Sequence, residues 1–94
     1  MQEMLKPQHP GSLVRAAMEG LGLSINAFAR QLDVAPSTIQ RIVTEQAAIS
    51  PEMAVKLSVT IGGSAANWMH RQADYDLWNA WQRVDISRLP VLRT

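Results

Sequence analysis

One short stretch of the chain, residues 36–44, carries the side chains best suited to hydrogen-bond with nucleic-acid bases. Ile39, Ile42 and Val43 recur at i, i+3, i+4 spacing, which predicts a helix with one buried face. The polar side chains left on the opposite face are Ser37, Thr38, Gln40 and Arg41. Arginine can pair with guanine, glutamine with adenine, and serine or threonine with either base. This face therefore predicts contacts that read base edges in DNA.

A second group of residues is suited to the phosphate backbone instead. A helix that begins after Ser24 presents the free backbone N–H groups of its first turn, and the helix dipole adds to their attraction for anions. The residues predicted to face phosphates are Ser24, Ile25, Asn26, Arg30 and Thr44. Between residues 24 and 50, two basic side chains are balanced by two acidic ones. We therefore expect a monomer to bind weakly, and a dimer that holds two half-sites to be required.

Both groups depend on two short helices joined by a tight turn. A helix-turn-helix needs a small residue where the helices cross, a turn residue that tolerates a left-handed backbone, and apolar residues that set the interhelical angle. Ala29 meets the first requirement and Asp33 the second, since aspartate tolerates the left-handed region. The apolar set is Phe28, Leu32, Val34, Ile39 and Ile42. The alternative, two short helices of an ordinary bundle, is weakened by the polar face described above.

Periodicity and cap residues predict an all-α fold of five helices. The expected helices span about residues 11–21, 25–32, 36–44, 51–61 and 65–82. The N-caps are predicted at Ser24, Ser50 and Ser64, and the helix stops at Gly22 and Gly62. Residues 1–10 are predicted to form an extended N-terminal arm, and residues 84–94 an extended C-terminal tail whose alternating pattern also allows a strand. Residues 11–83 form the domain between them.

Composition limits the class of protein without identifying a partner. The 94 residues, 47% apolar and 18% charged, suit one folded domain, and so small a core would gain stability from a dimer. A net charge of +1 means that any DNA binding must come from local arrangement. The absence of cysteine fits a reducing cytoplasm, and no stretch approaches the roughly 20 apolar residues of a membrane span. We expect a cytoplasmic protein that does not contact membranes.

Catalytic chemistry is not expected. The sequence has no Ser/His/Asp constellation, glycine-rich phosphate loop or carboxylate pair at catalytic spacing. His9 and His70 are its two histidines, and they stand in different parts of the chain. We therefore predict no enzymatic activity, no small-molecule substrate, no cofactor and no metal site.

Apolar residues near the C-terminus predict contact with a second chain. The candidates for a dimer or partner contact are Trp78, Trp81, Ile86 and Leu89. Trp78 and Trp81 are three residues apart on one long predicted helix, and this spacing favours core or interface packing over a platform on which bases stack. Five apolar residues in the eleven-residue tail favour pairing with the other protomer or a partner over a frayed end. Gln72 and Tyr75, beside Trp68, predict a buried hydrogen bond.

A family resemblance lies in two stretches, "HPGSLVRAAMEGLGLSINAFARQLDVAPSTIQRIV" and "AISPEMAVKLSVTIGGSAANWMHRQADYDLW". They resemble the HigA-type (VapI-like) antitoxins, a branch of the phage-repressor and Cro-like (XRE) helix-turn-helix family. The resemblance implies a lambda-repressor-like domain, a homodimer, binding to operator DNA that represses its own operon, and neutralisation of a HigB-type mRNA-cleaving toxin. It also implies that Ser37 and Arg41 face bases, and that Ser24, Ile25 and Asn26 face phosphates.

The chain departs from this family in the loop after the recognition helix. Relatives commonly carry an Asn-Gly-Lys-Arg-Gly-like loop there, whereas this chain has "TEQAA" at residues 44–48. Glu45 stands where the resemblance implies a turn glycine, and Gln46 and Ala47 replace basic residues that would lie near phosphates. Two alternatives to an antitoxin therefore stay open: a stand-alone XRE-family transcription regulator, and a protein-interaction module with weakened DNA binding.

Overall fold

The computed structural model describes residues 5–93, a range that contains five α-helices and one short 3-10 helix. The elements are α1 (Pro10–Leu21), α2 (Ile25–Gln31), α3 (Pro36–Val43), α4 (Pro51–Thr60), α5 (Ala65–Arg83) and the 3-10 helix Ile86–Arg88. No strand occurs in this range, and the predicted all-α, lambda-repressor-like class is confirmed. Residues 1–4 of the predicted N-terminal arm and residue 94 of the tail lie outside the described residues.

Polar caps define where the helices begin. The hydroxyl oxygens of Ser24, Ser50 and Ser64 each accept the backbone N–H three residues later, at 3.0–3.1 Å. The start of α1 differs from the prediction by one residue, because His9 acts as the N-cap: its Nδ1 accepts the N–H of Gly11 at 2.8 Å. Pro10 then occupies the first helical position, which suits the fixed φ of proline.

The hydrophobic core lies where the five helices meet. The largest side chains in its centre belong to Val14, Phe28, Ile39 and Leu57, all fully buried. Trp68 of α5 closes one side of the core, and its Nε1–H donates to the carbonyl oxygen of Gly62 at 3.0 Å. The α2–α3 pair packs on α1 through α3, α1 packs in turn on α5, and α4 packs on α5.

The end of α5 and the tail project from this core. The Cα radius of gyration is 16.2 Å, against about 12–13 Å for a compact chain of this length. The tail contains no strand within the described residues. Instead the carboxylate of Asp85 accepts the N–H and the hydroxyl of Ser87 and starts the 3-10 helix. Every residue of 84–93 is exposed.

Candidate nucleic-acid interface

The turn between α2 and α3 has the predicted left-handed residue. Asp33 has φ 56°, and the ammonium of Lys56 donates to its carbonyl oxygen at 3.3 Å. Ala29 is buried where α2 crosses α3, and Leu32 is buried just before the turn. The chain can therefore reverse within a few residues and begin α3 at Pro36.

The two faces of α3 differ sharply in exposure. Ile39, Ile42 and Val43 are buried against the core. Of the four candidates for base reading, Ser37, Gln40 and Arg41 are exposed, while Thr38 is half-buried at the edge of the same face. Arg41 forms no ion pair with any residue of 5–93. Its guanidinium is therefore available to a ligand outside the chain.

The starts of α2 and α3 form one concave surface. A shallow cavity of about 410 Å³ is lined by Ser24, Ile25, Asn26, Pro36, Ser37 and Gln40. The Ser24 oxygen accepts the N–H of Ala27 at 3.1 Å, so its hydroxyl hydrogen can still be donated. Residues predicted to face phosphates thus stand directly beside residues predicted to read bases.

The other two phosphate candidates differ in how freely they can donate. Arg30 is exposed and lines a neighbouring cavity of about 410 Å³ with Asn26, Asp33, Val34 and Pro36. The Thr44 hydroxyl already donates to the carbonyl oxygen of Gln40 at 2.7 Å. A phosphate contact from Thr44 would therefore require this bond to be exchanged.

The loop after α3 keeps the backbone shape of a glycine turn without glycine. Glu45 has φ 64°, and its N–H donates to the carbonyl oxygen of Ile42 at 3.0 Å. The N–H groups of Gln46 and Ala47 both donate to the carbonyl oxygen of Arg41. This geometry closes the C-terminus of α3, and it leaves the exposed Glu45 carboxylate at the end of the helix that carries the base-reading candidates.

Arg15 is a cation beside this surface that sequence reasoning missed. It lines a cavity of about 270 Å³ together with Ile25, Gln40 and Thr44, and its Nε lies 3.6 Å from a carboxylate oxygen of Glu19. Both side chains are exposed. The sequence pattern could not show this, since the position of Arg15 beside Gln40 depends on how α1 packs on α3.

The predicted contact residues form an exposed apolar surface at the C-terminal end. Trp81 is 54% exposed, Ile86 55% and Leu89 60%, while Trp78 is half-buried with the Lys6 ammonium 5.5 Å from its ring centroid. Exposure of this extent is what a surface awaiting a second chain would present. Their role in dimer or partner contact stays a prediction.

Gln72 makes the buried hydrogen bond predicted for this part of α5. Its Oε1 accepts the N–H of Ile49 at 2.9 Å, and its Nε2 donates to a carboxylate oxygen of Asp76 at 3.0 Å. Tyr75 instead packs its ring edge-to-face on His9, with centroids 4.8 Å apart. Gln72 therefore ties α5 to the loop between α3 and α4.

Residues 5–93 contain neither a metal-binding cluster nor a membrane-spanning helix. No group of three or more histidine, cysteine, aspartate or glutamate side chains is placed there to hold a metal ion. None of the helices in this range combines the length and apolar character of a membrane span.

The short α2, the left-handed turn and the outward polar face of α3 define a helix-turn-helix domain of the lambda-repressor-like class. The chain belongs to the helix-turn-helix family, since the profile of the family described as "Helix-turn-helix" matches residues 14–67. The HTH-type transcriptional regulator YddM of Escherichia coli (strain K12) is 41% identical over 92 residues, which cover 98% of each chain.

Two further similarities link the chain to the VapI-like and HigA-type proteins. Virulence-associated protein I of Dichelobacter nodosus is 41% identical over 75 residues, which cover 79% of this chain and 69% of that protein. The Pseudomonas aeruginosa antitoxin HigA, solved with the higBA promoter, has a TM-score of 0.80 at 34% identity and covers 92% of this chain and 99% of its own. The expected likeness to HigA-type members of the XRE family is confirmed, and the fold is that of DNA-binding regulators and antitoxins.

Proposed function

We propose that this protein is a DNA-binding antitoxin: a homodimer that represses its own operon and neutralises a HigB-type mRNA-cleaving toxin. The observation that carries the DNA role is the single concave surface on which Ser37 and Gln40 of α3 adjoin Ser24 and Asn26 of α2. It combines base-reading groups with phosphate donors, and Arg41 extends it along the exposed face of α3.

Charge and exposed surface both support the proposed dimer. Residues 24–50 carry no net charge, so one copy has few cations with which to neutralise phosphates. Two copies double those contacts and read two half-sites about one helical turn apart. The apolar end of α5 and the tail supply the surface for joining them, and Trp81 is its largest exposed side chain.

The toxin role rests on similarity. The solved antitoxin HigA described above shares 34% identity and nearly the full length of this chain. Coexpression with the neighbouring reading frame tests it: this protein should relieve growth arrest caused by that frame and copurify with its product. Arrest without relief would favour the stand-alone regulator, with the same DNA chemistry and no toxin.

Binding to the chain's own promoter as salt is varied tests the DNA role. Fluorescence anisotropy of a promoter fragment should show affinity falling about tenfold to a hundredfold between about 50 and 200 mM salt, because even the few phosphate contacts of a dimer release counterions. A scrambled fragment of equal length, expected to bind more weakly, is the control. A flat or absent response would remove the DNA role and leave the protein-interaction module.

That second candidate has its own support. Glu45 places a carboxylate at the end of α3, and the loop "TEQAA" contains no cation. Both features oppose tight binding to a polyanion. They lower the affinity expected of each protomer, but they leave the base-reading face of α3 intact.

A further inference from the structure

The N-terminus of α1 lies directly against the C-terminal end of α3. A Cβ built on Gly11 would overlap the carbonyl oxygen of Ile42, so the two backbones touch and only glycine fits. Pro10 and Gly11 are both buried. The end of α3 therefore cannot move toward α1 without displacing the first turn of α1.

His9 connects this contact to α5. Its side chain is only 4% exposed; its Nδ1 accepts the N–H of Gly11, and its backbone oxygen accepts both the N–H and the hydroxyl of Ser12. The same imidazole packs edge-to-face on Tyr75 of α5, at 4.8 Å and 79°. One buried side chain thus holds the start of α1 and touches the helix assigned to dimer contact.

Residues before His9 continue along α5. The ammonium of Lys6 lies 5.5 Å from the ring centroid of Trp78, which is three residues after Tyr75 on that helix. Residues 6–11 therefore run from the predicted dimer surface on α5 to the end of α3. Among the helices of the described range, α1 is the one that packs substantially on both α3 and α5.

We propose that residues 6–11 form a strut that sets the orientation of α3 relative to α5, and with it the half-site spacing that the dimer accepts. The proposal rests on the proposed function, since spacing has meaning only for a dimer that binds DNA. Two recognition helices must meet major grooves about 34 Å apart, so a small rotation of α3 about α5 changes which spacing fits. His9 acts here as a positioning residue through Gly11 and Tyr75, without contact to DNA.

The variant His9→Asn separates the role of His9 in the strut from its role as the N-cap of α1. Asparagine is a favoured N-cap and can still accept the N–H of Gly11, but it lacks the ring that packs on Tyr75. A footprint of the wild-type protein on its promoter first locates the operator. Full-length wild type and variant are then titrated with this operator and with operators whose half-sites are one base pair closer or further apart. We expect the ratio of affinities for native over altered spacing to fall by about twofold to tenfold, the range carried by one aromatic contact.

Two further variants test whether the contact between His9 and Tyr75 causes the change in this ratio. Tyr75→Leu should lower the same ratio, and adding it to His9→Asn should produce little further change because both remove one contact. Ser50→Ala is the matched control: it removes the cap of α4, and with it a comparable amount of stability, but leaves residues 6–11 untouched. Its ratio should equal that of the wild type.

The outcomes separate the strut from the proposed function. Equal weakening at all three spacings by His9→Asn, as by Ser50→Ala, overturns the strut. If wild type shows no salt-dependent DNA binding, the proposed function fails, and amide NMR shifts then test the strut. His9→Asn should shift the Ile42 and Val43 amides while Ser50→Ala should not; unchanged shifts would overturn it.

Discussion

Two residues that flank the recognition helix hold their backbones in the left-handed region. Asp33 precedes α3 with φ 56°, and Glu45 follows it with φ 64°. Aspartate is enriched in this conformation, and the carbonyl oxygen of Asp33 accepts a hydrogen bond from Lys56. Glu45 has neither advantage. The strain at the end of α3 is therefore the larger of the two, and glycine is the residue that would relieve it.

Glu45→Gly should raise the free energy of unfolding by about 1 kcal/mol, since relief of a left-handed residue exceeds the extra chain entropy of glycine. Urea denaturation measures this change. Promoter binding should also tighten because a carboxylate is removed beside the DNA face. The control Glu45→Gln removes the charge but keeps the backbone strain, so it should tighten promoter binding without raising the free energy of unfolding. Equal stabilisation by both variants would show that strain is not the cause.

Gly11→Ala should lower the free energy of unfolding by about 1–3 kcal/mol or more, because the added methyl group meets the backbone oxygen of Ile42. Gly20→Ala, in the same helix, is the control: a Cβ there has no neighbour within 4 Å. It should stabilise by about 0.5–1 kcal/mol through its lower chain entropy. A Gly11→Ala protein as stable as wild type would mean that α1 and α3 can separate at little cost.

At the scale of the elements, local chemistry predicted the helices well. The serine caps, the proline starts and the apolar spacing of α3 placed every helix end within one residue of its observed bound. The cap at His9 was missed because histidine is not a usual N-cap and its ring is held by Tyr75, far away in sequence. Arg15 was missed for the same reason: the packing of α1 on α3 brings it beside the predicted DNA-binding surface. What depends on contacts between helices could not be read from periodicity.

Substitutions on the base-reading and on the phosphate-facing side of the α2–α3 pair should weaken DNA binding in different ways. Arg41→Ala should cost about 1–3 kcal/mol of discrimination between the operator and single-base variants of it, because the exposed Arg41 is predicted to read a base edge. Arg30→Ala should instead weaken binding to all sequences alike and lower the salt slope by about two, because the dimer loses one phosphate contact in each protomer. Titrations of both variants on operator and scrambled DNA measure this. Uniform loss with Arg41→Ala would mean that this side chain touches only phosphate.

The whole molecule is a small core from which an apolar end projects. Its radius of gyration of 16.2 Å and the exposure of Trp81, Ile86 and Leu89 describe an elongated chain with an exposed apolar end, which the proposed dimer would cover. The sequence predicts Ile86 and Leu89 as contacts because the tail is too apolar to be free, and Trp81 because of the tryptophan spacing on α5. It could not distinguish a strand from the observed 3-10 helix, since the Asp85 cap competes locally with an extended backbone.

Trp81→Ser should weaken self-association by about 2 kcal/mol or more, since a large aromatic side chain near the centre of an interface commonly contributes that much. Sedimentation velocity over a range of protein concentrations measures it, and the dependence of Tm on concentration should diminish in parallel. Val59→Ser on α4 is the control, because Val59 is 81% exposed and is not part of the predicted surface. Identical sedimentation of Trp81→Ser and wild type would contradict the assignment.

The contact between Gly11 and Ile42 also has a genetic consequence. Every missense change open to a glycine codon introduces a residue with a Cβ, and each would meet the same backbone oxygen. Every amino-acid change at position 11 therefore disturbs the contact between α1 and α3, whereas position 20 can accept small residues. In a library of random point mutants selected for function, position 11 should remain invariant while position 20 drifts. Such a map of tolerated changes would locate the contact between α1 and α3 without any structure.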